Sequence, residues 1–499
     1  MKQLARLICG AAMFTMVAGQ PALAEGELVA TLNTSPNNLY PGKMTVGEEY
    51  NIAVLVYNGL LRITPDLEFE GDLAERWETN EDATVWTFHL RRGVKFHHGK
   101  DLTAEDVLYS FKLIADPDTA SRAKSHVDLV ETMEKIDDHT VRFTLKEAYA
   151  GFAELMIERQ LKIVPSDRSF EEILDKPIGT GPFRFVSYTP GDRLVLEKFE
   201  DYHEEGQPKL DRVVLRIMPE DAAKIAALRA GDVDLLWNVP LEAIEQLEDV
   251  KDIVVDEKAT ATWDGIVLNN ATRPFNDVRV RRAVLKAIDK KQLAQFAVFG
   301  HGSPTHSPIP PNHSFFNKDI GFEPDPEEAK RLLAEAGYPD GFKMTIHAPV
   351  GRPTRERAAV ALQQMLKPVG IDAQVERVPY NRYGATVSGK VPFYMDGYFA
   401  RPTLDTSTFP WFHSTGSWNQ RMWHYESARM DEILDEARRT TDKGRLAELY
   451  DEYQEIMVEE VPGIIMYSMN FATAYSDRLE GYTTHPYLWM DLRKAHFAQ

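Results

Sequence analysis

The chain has 499 residues with 57 Lys and Arg against 77 Asp and Glu, which gives a formal net charge of −20. This acidic balance disfavours nucleic acid and anionic membrane surfaces as general partners. The length exceeds the roughly 250 to 300 residues that one hydrophobic core usually serves, so we expect at least two lobes.

The N-terminus has the pattern of a secretory signal peptide. Lys2 and Arg6 precede an apolar run that ends in a small-x-small motif at Ala24, so we predict that residues 1–24 are a signal peptide cleaved after Ala24. The run is shorter than the ~20 apolar residues that span a bilayer. Cys9, the only cysteine, would be removed with it, and the mature chain cannot depend on disulfides.

The next informative segment predicts a strand followed by a helix. Trp86, Phe88 and Leu90 alternate with polar residues, which is typical of a strand with one buried face. Thr103 and Asp106 then resemble a capping pair at the start of a helix.

Strand-like and helical patterns alternate through the rest of the chain, and this alternation predicts an α/β class with mixed sheets. The strand-like runs are 213–217, 265–268 and 343–346, and the helical stretches include 221–230, 278–288, 327–336 and 430–455.

Four motifs resemble the family 5 extracytoplasmic solute-binding proteins, the dipeptide, oligopeptide, nickel and opine receptors of ABC importers. The most specific is W-x-F-x-L-R-x-G-V-x-F-H-x-G from Trp86, followed by L-T-A-E-D-V from Leu102. The others are Y-N-G-L-L from Tyr57, G-T-G-P-F from Gly179 and the segment 268–289. Together these motifs cover nearly the whole mature chain.

The resemblance implies a two-lobed periplasmic binding protein-like fold of type II, in the large cluster that has an inserted extra subdomain. The first lobe would comprise residues 25–268 and 472–499, with the subdomain at about 47–175, and the second lobe would comprise 269–471. Two strands would cross between the lobes near 265–269 and 465–473. Such proteins close on their ligand by hinge motion.

The resemblance also points to a binding residue. The family's G-W-x-x-D segment corresponds here to Gly397, Tyr398 and Arg401, so an arginine replaces the aspartate that pairs with a peptide's α-amino group. A guanidinium suits a carboxylate, sulfonate or phosphate. Asp405 would bind a cationic group or orient Arg401; the alternative is an ordinary Arg401–Asp405 ion pair at the rim of the cleft.

Further candidates come from aromatic and amide groups that can contact a solute. Trp418 and Asn419 couple a ring to an amide after a turn, and the ring of Trp237 or Trp263 could equally belong to the core. The remaining candidates lie in polar or Pro-marked loops, for which plain solvent exposure is the alternative: Ser35, Asn37 and Tyr380.

Catalytic and metal motifs are missing from the sequence. It contains no G-x-S-x-G or H-E-x-x-H pattern, and its 14 histidines are dispersed. His97 and His98 are adjacent, and neighbouring strand residues point to opposite faces. We therefore expect no enzyme activity, no cofactor and no bound metal.

The resulting expectation is a periplasmic receptor that captures a small solute by hinge closure and has no catalytic step. It would deliver a peptide-like or acidic conjugate solute to an inner-membrane ABC permease, as a monomer and without binding nucleic acid. A sugar, an oligosaccharide or a metal chelate is the alternative cargo, and a secreted hydrolase is a distant alternative.

Overall fold

The computed structural model describes residues 26–321, 323–401 and 403–498. The predicted signal peptide, residues 1–24, lies outside these described residues. Within them, no helix combines the length and apolar character needed to cross a membrane.

The strands of the described residues are numbered in chain order. They are β1 Glu27–Leu32, β2 Leu61–Ile63, β3 Phe69–Gly71, β4 Ala74–Thr79, β5 Val85–Leu90, β6 Val130–Asp137, β7 Thr140–Leu145, β8 Phe183–Thr189, β9 Arg193–Lys198, β10 Arg212–Ile217, β11 Leu235–Leu236, β12 Ile253–Leu268, β13 Gly302–Pro304, β14 Phe342–Val350, β15 Ile371–Pro379, β16 Phe393–Tyr398, β17 Gly463–Ser476, β18 Leu479–Glu480 and β19 His496–Phe497.

The α-helices are numbered in the same way. They are α1 Gly47–Val56, α2 Ala104–Ala115, α3 Lys124–Val127, α4 Phe152–Leu155, α5 Phe170–Asp175, α6 Asp221–Ala230, α7 Ile244–Glu248, α8 Val278–Lys286, α9 Lys290–Val298, α10 Pro326–Glu335, α11 Pro353–Leu366, α12 Tyr380–Thr386, α13 Leu404–Phe412, α14 Ala428–Arg439 and α15 Lys443–Glu459.

The local patterns read from the sequence form the expected elements. Trp86, Phe88 and Leu90 are the buried residues of β5, and the backbone N–H of Thr103 donates to Asp106 at 2.9 Å at the start of α2. The helical stretch at 430–455 is instead two helices, α14 and α15. Asp442 caps the second one through the backbone N–H of Gly444 and Arg445, because an acidic side chain before a helix satisfies its free donors.

One mixed sheet runs through the whole molecule. Its strand order is β15-β14-β16-β12-β17-β11-β1-β10-β9-β8, and β13 also pairs with β17. β1 is parallel to β10, β14 is parallel to β15, and β12 and β17 are antiparallel. This mixture confirms the predicted α/β class.

The strands β12 and β17 join the two lobes. Residues 253–259 pair with 476–470, the register then shifts, and residues 263–267 pair with 468–463. The side chains of Ile266 and Leu268 pack in a core with α8, α9 and α11. We therefore propose that the crossing lies at 260–262, earlier than the predicted boundary at residue 268. Below, the first lobe means residues 26–259 and 470–498, and the second lobe means 263–468.

The first lobe contains a second, separate core. It is formed by buried residues between Met44 and Ile163 with Trp489, and it covers the four-stranded sheet β4-β5-β7-β6. This core lies in the region predicted as an inserted subdomain, whose bounds of about 47–175 stay a prediction. The G-T-G motif packs against α1, because a Cβ on Gly179 would lie 2.1 Å from the carbonyl oxygen of Val56.

Candidate functional site

A small cleft lies where the strands cross between the lobes. It is lined by residues 259–261 from the crossing, by Leu67 and Tyr487 from the first lobe, and by Arg401 and Ser407 from the second. Its cavity volume is about 50 Å³, which is room for a few water molecules. The lobes are therefore close together around this cleft.

The backbone of Ala400 makes two hydrogen bonds, and these bonds fix the position of the next residue, Arg401. Its N–H donates to the Thr262 hydroxyl at 3.1 Å, beside the crossing. Its carbonyl accepts from Nη2 of Arg159, a first-lobe residue, at 2.8 Å. Arg401 follows directly and is half-buried at the cleft.

The guanidinium of Arg401 has neither an ion pair nor a hydrogen bond with any residue that the structure describes. Burial lowers the pKa of Arg401, and the carboxylate of Glu158 acts in the opposite direction. A partly desolvated cation without a partner is costly. An anionic group beside Arg401 would relieve this cost, and the predicted role of Arg401 in solute binding stays a prediction.

Glu158 and Arg159 are first-lobe charges close to Arg401, and the sequence analysis did not find them. Their exposed fractions are only 1% and 5%. Nε of Arg159 lies 3.3 Å from Oε1 of Glu158, and its guanidinium stacks over the Tyr50 ring at 4.5 Å. Burial alone would raise the pKa of Glu158, but Arg159, His126 and Arg401 outweigh it and lower the pKa. The available signal was a pair of adjacent opposite charges directly after the apolar residues 155–157.

Asp405 does not pair with Arg401, so both predicted roles that linked these two residues are wrong. Its carboxylate binds Nε of Arg438 at 2.7 Å and Nη2 at 3.1 Å. It also accepts the Tyr149 hydroxyl of the first lobe at 3.0 Å. Asp405 therefore belongs to a contact between the lobes.

Tyr398 lies in a cluster of rings in the second lobe. Its centroid is 4.1 Å from Trp411, 5.2 Å from Trp263 and 5.4 Å from Trp418. Trp263 is buried, with 3% exposed, and Trp418 stacks on Trp411 at 4.9 Å. Since Tyr398 and Trp418 are half-buried, they are the members of this cluster that keep an accessible surface.

A buried network of ion pairs and hydrogen bonds holds Tyr398 in place. Arg355 contacts Asp264 at 2.7 Å and Asp396 at 3.4 Å, and it donates to the carbonyl of Gly397 at 2.7 Å. The Tyr398 hydroxyl donates to Asp396 at 3.0 Å, and burial together with Asp396 raises the pKa of Tyr398 well above its usual value. The network therefore fixes the end of β16, just before Arg401.

Asn419 has a structural role in its loop. Its amide donates to the carbonyls of His413 and Tyr425 at 2.9 and 2.7 Å, and its oxygen accepts the N–H of Tyr425. Both amide hydrogens are used. The structure therefore contradicts the prediction that this amide reaches a solute.

The other predicted residues lie away from the residues that line this cleft. The Trp237 indole donates to Leu488 at 3.1 Å within a core, and Ser35 accepts from the N–H of Gly191 at 2.9 Å. Asn37 is exposed, and its N–H donates to Glu49. Tyr380 is 51% exposed and lies under the guanidinium of Arg352. These contacts favour packing and loop roles for all four.

One group of side chains in the described residues has metal-ligand character. Ligand atoms of Asp72, His203 and Glu204 lie within 4.8 Å of one another. However, Glu204 pairs with Arg62 and Arg493, and Asp72 lies 3.8 Å from Arg62 and accepts from Asn58 at 2.9 Å. Since these cations already neutralise the carboxylates, we assign no metal to this group.

Two lobes that are joined by crossing strands and enclose a cleft define a binding protein of the periplasmic type. The sequence profile described as "Bacterial extracellular solute-binding proteins, family 5 Middle" matches residues 68–420. The chain belongs to this family of solute-binding proteins, as the motifs predicted.

Named relatives cover nearly the entire chain. Glutathione-binding protein GsiB of Pectobacterium atrosepticum is 27% identical over 96% of each chain. Heme-binding protein A of Haemophilus influenzae is 30% identical over 91% of this chain and 89% of the relative. The solved structure of AgaA in complex with agropinic acid, from A. tumefacien R10, has a TM-score of 0.81 and 25% identity, with 95% of this chain and 99% of that chain covered.

Proposed function

We propose that this protein is the periplasmic substrate-binding component of an ABC importer and that its solute is a small, acidic, peptide-like conjugate. The observation that carries the proposal is the half-buried guanidinium of Arg401, which lies at the cleft between the lobes without a partner among the described residues. An anionic group of the solute would form a charge-assisted pair with it.

The relatives support an acidic cargo. Their names refer to glutathione, heme and agropinic acid, and each of these compounds carries carboxylates. Arg401 is a group that could pair with such a carboxylate here. The solutes differ in size and shape, so the shared carboxylate is the feature that we transfer to this chain.

Hinge closure would be the mechanism of capture. A solute that contacts both lobes would lower the free energy of the closed state relative to the open state. An inner-membrane permease would recognise the closed state. We propose that the protein acts as a monomer after export, with cleavage following Ala24, and that it has no catalytic step.

Native mass spectrometry of protein purified without denaturation tests the proposal. We expect a retained solute that carries at least one carboxylate, sulfonate or phosphate, identified after its release. If the protein instead binds only neutral or cationic solutes from a cell extract, the proposal is wrong.

A further inference from the structure

The carboxylate of Glu158 has a free oxygen inside the protein. Glu158 is 1% exposed, and its Oε1 contacts Arg159. Its Oε2 is buried and accepts no hydrogen bond within the part of the chain that the structure describes. A buried carboxylate oxygen without a donor costs free energy, and a donor on a bound ligand would remove this cost.

Arg159 does not satisfy this oxygen, because its guanidinium is directed to other groups. It contacts Oε1 of Glu158, donates to the Ala400 carbonyl and stacks on Tyr50. Arg401 does not satisfy it either, since no ion pair within 4.0 Å joins Arg401 to Glu158. The two groups nevertheless lie near each other, because Arg159 links Glu158 to Ala400, the residue before Arg401.

The site therefore presents two unsatisfied groups of opposite charge, one on each lobe. Building on the proposed function, we propose that it recognises a zwitterionic amino-acid head, with the ammonium on Glu158 and the carboxylate on Arg401. The family places its acid in the segment that contains Arg401; here the acid lies on the opposite lobe, and the arginine takes its place.

Charge complementarity favours such a head over a second carboxylate. A carboxylate placed beside Oε2 of Glu158 would meet a like charge at low exposure, which is strongly unfavourable. An ammonium there gains a charge-assisted hydrogen bond and leaves the contacts of Arg159 intact.

Glutathione and N-acetylglutathione are a matched pair of probes, because acetylation removes the ammonium and keeps the carboxylates. We expect calorimetry to show that the protein binds glutathione at least about 10-fold more tightly, as loss of a charge-assisted hydrogen bond implies. Glu158→Gln should bind glutathione about 10-fold more weakly and lose most of this preference. Glu171→Gln, an exposed first-lobe carboxylate, is the control and should keep it.

The outcomes separate this inference from the proposed function. Equal affinity for the two probes, or a preference for the acetylated one, overturns the inference and leaves capture of an acidic solute intact. Binding of neither probe also overturns the inference, and the solute found by native mass spectrometry then decides the proposed function independently. If Glu158→Gln weakens both probes equally while its melting temperature is unchanged, the ammonium contact is refuted.

Discussion

At the scale of single residues, the candidate site contains charged side chains that lack some of their ion-pair or hydrogen-bond partners. Several buried or half-buried charges among the described residues have a counter-charge, as Asp405 has Arg438 and Asp264 has Arg355. Arg401 differs from them, since it lies half-buried at the cleft and pairs with no described residue. Folding does not benefit from such an arrangement, whereas the binding of an anionic solute would.

Replacement of Arg401 should therefore affect binding and spare stability. We expect Arg401→Gln to weaken the affinity for the cognate solute by about 10-fold or more, because a charge-assisted pair is lost. Titration calorimetry measures this change. Arg382→Gln, at an exposed second-lobe arginine, is the control and should bind normally; unchanged affinity in the Arg401 variant would refute its role.

The sequence located part of this site. Arg401 could be proposed from the sequence because a local motif marks its position and the residue departs from the motif. Glu158 and Arg159 could not, because their link to Ala400 joins residues 241 positions apart. Asp405 was paired with the wrong arginine for the same reason: Arg401 is four residues away, whereas Arg438 is distant in sequence and near only after α13 and α14 pack together.

At the scale of secondary-structure elements, the end of β16 is held by side chains of other elements. Arg355 on α11 connects Asp264 of β12 to Asp396 and Gly397 of β16. These elements could be predicted from hydrophobic periodicity, as β5 and α6 were. The network could not, because periodicity identifies buried faces and says nothing about which buried charges meet.

Removal of Arg355 should strongly destabilise the protein. Arg355→Leu leaves Asp264 and Asp396 buried without their cation, which costs about 3 to 5 kcal/mol of unfolding free energy. Guanidinium denaturation of the variant measures the loss. Arg352→Leu, at an exposed arginine three residues earlier in the chain, is the control and should change stability little. A loss below about 1 kcal/mol for Arg355→Leu would contradict the assigned role.

At the scale of the whole molecule, direct contacts join the two lobes away from the crossing strands. The Tyr149 hydroxyl donates to Asp405, the N–H of Ala150 donates to the Arg438 carbonyl at 2.7 Å, and Arg159 donates to Ala400. The two-lobed fold could be predicted from the family motifs. The contacts that hold the lobes together could not, because each depends on residues far apart in sequence.

Loss of one of these contacts should favour the open state. Tyr149→Phe removes a hydrogen bond to a charged acceptor, and we expect the ratio of closed to open protein to fall by about 5-fold, equivalent to about 1 kcal/mol. Small-angle X-ray scattering should then show a larger radius of gyration without solute. Tyr188→Phe removes a hydrogen bond of 2.9 Å inside the first lobe and should leave the radius unchanged. Equal radii for Tyr149→Phe and the original protein would show that Tyr149 does not hold the lobes together.

The two hydrogen bonds of Ala400 have a consequence for selectivity in transport. Its bond to Thr262 lies at the crossing, whereas its bond to Arg159 joins the lobes, so opening separates Arg401 from Glu158. Under the zwitterion proposal, a compound with only one of the two charges can bind to one lobe of the open protein. It does not contact the charged group of the other lobe, and so it does not stabilise the closed state. Such a compound would compete for the receptor without being passed to the permease, and it would inhibit uptake instead of being imported.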